Sequence, residues 1–263
     1  MQRVHKTLKY LLNPEHPITI ALIGCGGNGS QMLTQLARID QALKKLGHIG
    51  IHVTCFDNDI VTEANMGRQL FSPAEVGMNK ATAMITRINR FFGTSWKAMP
   101  VYFNGSIEER IRNANITISC VDTIHARWEI SEALTKSKHD HPELKTWYWM
   151  DLGNTQNSGQ FILGTLKNIE QPLKGKKTGV FNNYVPAVPT VFEKFPGMKK
   201  QKEKDTGPSC SLAEALEKQD LFINSTLVQF ASGLLWKLFR EGQIKYHGAF
   251  INLETLKIAP IYL

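Results

Sequence analysis

Cysteine is scarce. The 263 residues hold four, at positions 25, 55, 120 and 210, and none stand as a Cys-x-x-Cys pair. Tetrahedral zinc draws on closely spaced ligands, so this spacing argues against structural zinc. A disulfide framework belongs to short secreted chains and is not expected here. Cys25, Cys55 and Cys120 lie in or beside apolar strand-like runs, where a buried thiol is the ordinary outcome. No run of 18 apolar residues occurs, so no membrane-spanning helix is expected. The first 17 residues, MQRVHKTLKYLLNPEHP, lack an apolar stretch long enough for a signal peptide. These absences predict a cytoplasmic protein with no membrane partner. Acidic residues are in deficit too: 23 against 31 Lys and Arg, a formal charge of +8. That balance favours an anionic partner, and nucleic acid, ATP and an acidic protein all fit it. His139 and His141 flank Asp140 in a polar stretch ending at Pro142, which reads as a surface loop and not a metal site.

Glycine is where the sequence becomes specific. The apolar run Ile18–Ile23 leads straight into Gly24-x-Gly26-x-x-Gly29. A buried strand, a tight turn and a helix start in that order form a phosphate cradle. The first glycine permits the turn, the second lets a pyrophosphate approach the backbone, and the third lets helix and strand pack closely. The N–H groups of the helix start then face the anion. Apolar Met32, Leu33, Leu36, Ile39 and Leu43 recur at helical spacing and predict a helix over 28–45, ended by Gly47. A β-branched run predicts a strand over 49–56, with Asp57 at its carboxyl end, where an acid can bind both ribose hydroxyls. Further helices are expected over 79–92, 107–112 and 123–136, and strands over 96–103 and 116–121. The alternation predicts an α/β, Rossmann-like, doubly wound, mostly parallel sheet.

The segment after Asp57 is diagnostic. It reads Asp57-Asn-Asp59-Ile-Val, then Asn65-Met-Gly-Arg68-Gln69, then Gly77-Met-Asn-Lys80, with Asp122 followed by Arg127 further on. This resembles the ThiF/MoeB/E1-like adenylating enzymes, which activate the C-terminus of ubiquitin-like proteins. The match is strong over about residues 18–130 and looser beyond. The resemblance implies a phosphate loop at Gly24, Gly26, Gly27 and Gly29. It implies a ribose ligand at Asp57 with Asp59 nearby, and Asn65, Arg68, Gln69 and Lys80 around the triphosphate. It implies Mg²⁺ at Asp122. Residue chemistry agrees. Adenylation joins two anions, a carboxylate and an α-phosphate, so cations and Mg²⁺ must neutralise charge. Arg68 offers a fixed fork of donors and Lys80 a compact charge. No general base is needed, and positioning carries much of the rate. Each residue also has a plainer reading. Asp122 could N-cap the helix starting at Thr123, Asn65 could form a turn, and Asp59 could shape its loop.

The remainder is read more coarsely. Residues 145–152 and 159–166 predict a hairpin, and 248–263 a second, giving an antiparallel C-terminal extension. Residues 1–17 are either a short helix or an extended arm. Residues 179–191 should be extended, and the lysine-rich 193–208 mobile. Residues 211–241 read as helical with a break near Asn224. Cys210 precedes that helix, and the resemblance implies it as a thioester acceptor, against the alternative of a spare thiol. Arg3 does not match the family's N-terminal arginine motif, and the family's zinc Cys-x-x-Cys pairs are missing. The resemblance implies one domain over 1–263, with a nucleotide core at 18–130. Residues 145–263 would supply the acceptor-binding, crossover and dimerisation part. The expected partners are ATP, Mg²⁺, a β-grasp ubiquitin-like protein with a glycine tail, and a second copy of the chain. The alternatives are a tRNA-modifying dehydratase-like relative, which the +8 charge favours, and a nucleotide-binding scaffold without turnover, which the Arg68, Lys80 and Asp122 set disfavours.

Overall fold

The computed structural model describes residues 3–107, 113–136, 145–172, 183–200 and 212–263. The N-terminus is both arm and helix. Strand β1 (Arg3–Lys6) leads to a single turn, α1 (Lys9–Leu12), and then to β2 (Ile18–Ile23). In β2, Ile18, Ile20 and Leu22 point to one apolar cluster while Ala21 and Ile23 point to another. Burial on both faces is why this strand is apolar throughout and not alternating. Strands β3 (Ile51–Phe56), β4 (Lys97–Met99), β5 (Ile116–Ser119) and β6 (Tyr148–Asn154) extend a parallel sheet around it. The sheet continues antiparallel through β7 (Ser158–Thr165), β10 (Tyr246–Asn252) and β11 (Lys257–Tyr262). The order is β11-β10-β7-β6-β5-β2-β3-β4. The short strands β8 (Asn183–Tyr184) and β9 (Gln243–Ile244) pair with β1 in a separate sheet.

Helices cover both faces. On one lie α2 (Gly27–Lys45), α3 (Lys80–Phe92) and α7 (Ile223–Arg240), through Leu33, Leu36, Met84, Leu227 and Leu234. On the other lie α4 (Ile124–Thr135) and α5 (Val191–Lys194), through Ile130, Leu134 and Phe192. Each large aliphatic side chain so buried contributes roughly 1.5–3 kcal/mol. The expected face of α2 is the buried one: Met32, Leu33, Leu36, Ile39 and Leu43 are all in the core. Asp40 is buried on the same helix, where it takes the Ile51 N–H at 2.8 Å and pairs with Lys44 at 2.7 Å. It thereby fixes the first residue of β3. Helix α3 starts at Asn79, whose Oδ1 accepts from the Thr82 N–H, and stops at Gly93 with φ of 69°. Among the described residues, no helix is long and apolar enough to cross a membrane.

Several expected elements are trimmed. The strand expected over 96–103 covers only Lys97–Met99, because Pro100 has no N–H to continue the ladder. The chain instead turns after Met99, whose carbonyl takes the Val101 N–H at 2.8 Å, and the Phe103 ring meets Phe56 edge-on at 5.1 Å. The single long helix with a break is two helices, α6 (Leu212–Lys218) and α7, and the break lies at 219–222, just before Asn224. The segment expected to be mobile from 193 is ordered at its start, in α5 and the 3₁₀ turn Pro196–Lys200. Most of the helix expected over 107–112, together with His139, His141 and Cys210, lies outside the described residues.

His5 ties β1 down. It is fully buried, with Nδ1 2.8 Å from the Val185 carbonyl and Nε2 3.0 Å from the Tyr148 hydroxyl. Both contacts are satisfied by the neutral ring, and burial holds its pKa below the ordinary 6.5. The unfolded chain therefore binds a proton more readily than the folded one. Stability is full above about pH 6.5 and falls as pH drops through the window below it, by at most about 1.4 kcal/mol per pH unit for each such group. His247 is lowered for the same reason and adds with the same sign. Thermal midpoints measured from pH 7.5 down to 5 should fall, and His5→Gln should flatten but not abolish that fall.

Candidate nucleotide site

The glycine loop closes as its sequence requires. Gly24 has φ of +87°, and a Cβ there would lie 2.8 Å from the Cys120 carbonyl oxygen. A Cβ on Gly29 would lie 1.8 Å from the Gly24 carbonyl oxygen, so the start of α2 sits against the end of β2. The space over Gly26 is open, with nothing within 4 Å of an added Cβ. Gly26 is also the N-cap of α2, so the positive end of a 19-residue helix faces that opening.

Asp57 follows β3 and is oriented by backbone. Its Oδ2 accepts from the Cys25 N–H at 2.5 Å and its Oδ1 from the Asp59 N–H at 2.8 Å. Burial pushes the carboxyl pKa up, against these two N–H groups and Lys80, which pull it down. Asn79 braces the same turn by donating to the carbonyls of Asp57 and Asp59. Lys80 opens α3 and is nearly buried. Its Nζ pairs with Asp59 Oδ2 at 2.9 Å, their side chains being 10% and 60% exposed. A buried ammonium paired with a solvated carboxylate can exchange it for another anion. Arg68 reaches Gln219 through its guanidinium, and its buried Nε has no partner among the described residues. Gln69 Oε1 and Asn28 Oδ1 are likewise buried without partners among the described residues. Unpaired buried polar atoms are costly, and these three residues all line one cleft.

The facing wall comes from the ends of β4 and β5. Thr123 caps α4, its hydroxyl accepting from the Ala126 N–H at 3.1 Å. The cap is thus not Asp122, which stays exposed and faces the cleft. Tyr102 donates to Glu129 Oε2 at 2.6 Å, and its pKa is pushed up to about 12 by burial, that bond and the nearby acids. Beneath lies a buried ion pair. Arg127 Nε sits 3.0 Å from Asp151 Oδ1. Arg127 also donates to the carbonyls of Val121 and Leu152 at 2.6 and 3.1 Å. Ser119 donates to the same carboxylate at 2.6 Å. This network fixes the ends of β5 and β6, and hence the loop carrying Asp122.

One cleft of about 420 Å³ brings together Gly24, Gly26, Gly27, Asp57, Asp59, Arg68, Gln69, Lys80 and Asp122. Gly29 packs below it. Asn65 is not in its lining; its Oδ1 takes the Thr62 N–H at 2.9 Å and closes the 3₁₀ turn Glu63–Asn65. Asn28, Arg127, Asn154, Gln219 and Asn224 also line the cleft; the sequence motif includes Arg127, but none of the five carries a site role from sequence. Asn28 stands inside the glycine fingerprint and could have been found there. Gln219 and Asn224 have no local signal. Asn224 is brought in by α7 and Gln219 by the break that precedes it, and an added Cβ at Gly27 would lie 2.6 Å from Asn224 Nδ2. The described residues contain no cluster of three metal-ligating side chains. Mg²⁺ needs only one or two carboxylates beside phosphate oxygens and water, and Asp122 is placed to supply one. Cys25 and Cys55 are buried and Cys120 half-buried, all as free thiols; a hydrogen bond with Cys25 and then burial raise the Cys55 pKa well above the usual range, and burial does the same at Cys120.

An open glycine loop, a strand-end acid and two cations converge on one cleft of a Rossmann-like doubly wound sheet. The chain belongs to the ThiF family, whose model matches residues 16–252. No curated protein matches it. Among solved structures, E. coli MccB with MccA is similar at 15% identity and a TM-score of 0.60, over 96% of this chain and 65% of that one. PaaA is similar at 14% identity and a TM-score of 0.59, over 93% and 64%. E. coli MccB with ATP is similar at 16% identity and a TM-score of 0.55, over 96% and 64%. At these identities the likeness is one of fold, and the chain spans just under two thirds of those relatives' length.

Proposed function

We propose that this chain is a single adenylation domain that uses ATP and Mg²⁺ to activate the C-terminal carboxylate of a small protein. The observation that carries the reading is the placement of Arg68 and Lys80, both partly or wholly withdrawn from water, on the cleft that contains Gly26. An NAD enzyme has no use for two such cations beside the ribose acid. The solved structures of MccB with ATP, and of MccB with AMPCPP and MccA, support a triphosphate and a separate acceptor.

The α-phosphate would lie over Gly26 with the ribose hydroxyls on Asp57. Lys80 would leave Asp59 for a phosphate oxygen, and Arg68 would leave Gln219. Mg²⁺, held by Asp122, would neutralise the leaving pyrophosphate. A carboxylate oxygen of the acceptor attacks the α-phosphorus, the bond to the β-phosphate oxygen breaks, and an acyl-adenylate forms. The finer proposal names the acceptor as a β-grasp protein with a glycine tail, and the working unit as a homodimer. A later step would pass the acyl group to Cys210: its thiolate attacks the acyl carbon and AMP leaves.

The test is ATP–pyrophosphate exchange with candidate acceptors, each with and without its C-terminal residues, and with tRNA in parallel. Exchange should need the intact C-terminus, stop with EDTA, and be lost in Asp122→Ala. Exchange stimulated by tRNA alone would replace this reading with the nucleic-acid one. A reductant-sensitive partner adduct, absent in Cys210→Ala, is the expected sign of the thioester, and its absence would remove that step.

A further inference from the structure

The phosphate chemistry leaves one end of the cleft unused. The lining includes an apolar set, Val101, Tyr102 and Phe103 from the turn after β4 and Ala126 and Ile130 from helix α4. With phosphates at the glycine loop and ribose at Asp57, this end is where a nucleobase must lie. Its two walls belong to different elements, the turn after β4 and helix α4. One hydrogen bond, from Tyr102 to Glu129, joins them at 2.6 Å. Its length is that of a hydroxyl donating to an ionised carboxylate. Both groups are partly exposed, with Tyr102 at 43%, so the bond adds little to folding and its value lies in orientation. Phe103, the next residue, is buried against Phe56, which fixes the backbone from which Tyr102 projects.

We infer that Tyr102 covers the nucleobase and that Glu129 latches it across the mouth of the cleft. The pair is then a positioning and specificity element for a nucleoside triphosphate. This rests on the nucleotide reading above and adds where recognition of the base, as distinct from the phosphates, is located. His125 Nε2 lies 3.7 Å from the same Glu129 carboxylate, with its own side chain largely exposed.

Calorimetric titration of the full chain with ATP and with inorganic tripolyphosphate, both with Mg²⁺, separates the two. Tyr102→Ala should weaken ATP on the order of tenfold or more, the usual worth of a ring against a base. Tripolyphosphate affinity should stay about the same. Tyr102→Phe and Glu129→Ala break the same bond, so each should weaken ATP by a similar smaller factor and the double variant no further. The latch is overturned if Tyr102→Ala leaves ATP unchanged, if tripolyphosphate weakens in parallel, or if the two single effects add. If the wild type binds tripolyphosphate but not ATP, the base site is misplaced. If it binds neither, the nucleotide reading falls and the latch with it.

Discussion

Arg68→Ala should reduce ATP–pyrophosphate exchange by about 10²–10³-fold, the cost of removing one donor aimed at developing charge in a site of this kind. The side chain is half-buried and lines the cleft, so the folded state should survive and its melting curve change little. Desolvation already lowers its pKa, which marks a cation kept partly from water with an N–H to spare. Arg68→Lys should recover only part of the rate, because an ammonium cannot reproduce the planar fork. Exchange kept near the wild-type level by Arg68→Ala would remove this residue from the phosphate site.

Gly29→Ala should prevent the domain from folding. Its methyl would need to occupy the place of the Gly24 carbonyl oxygen, and that neighbour is backbone. Neither the end of β2 nor the start of α2 can retreat, since Ile23 and Ser30 are both held in the core. Gly26→Ala is the matching control. Its methyl meets nothing within 4 Å, so the protein should fold, yet it would project into the space proposed for phosphate. Circular dichroism together with ATP titration distinguishes them: no fold in the first, a fold without nucleotide affinity in the second. Equal behaviour of the two variants would show that the loop is not a cradle.

Much of this was legible because the chemistry is local. Gly24, Gly26 and Gly29 read as a turn, an opening and a close contact within six residues, and each does that. Asp57 and Lys80 lie at element ends fixed by hydrophobic period, so their convergence followed from the strand order. Asn65 shows the limit: its position in the motif names it for the triphosphate, while its side chain closes a turn three residues long. What stayed hidden is non-local. Gln219 lies 151 residues from the Arg68 it bonds, and Asp151 lies 24 from Arg127. No periodicity announces such pairs, because they depend on which strands become neighbours. Pro100 is the reverse case, a local signal strong enough to shorten β4.

The Arg127–Asp151 pair bears on how the chain could be cut. Subcloning only the segment that carries the sequence fingerprint would strand a guanidinium in an oily interior with no counterion, and would leave the flank of β5 bare. The segment with the glycine loop therefore cannot be lifted out as a miniature domain; its stability is on loan from the strand that follows it.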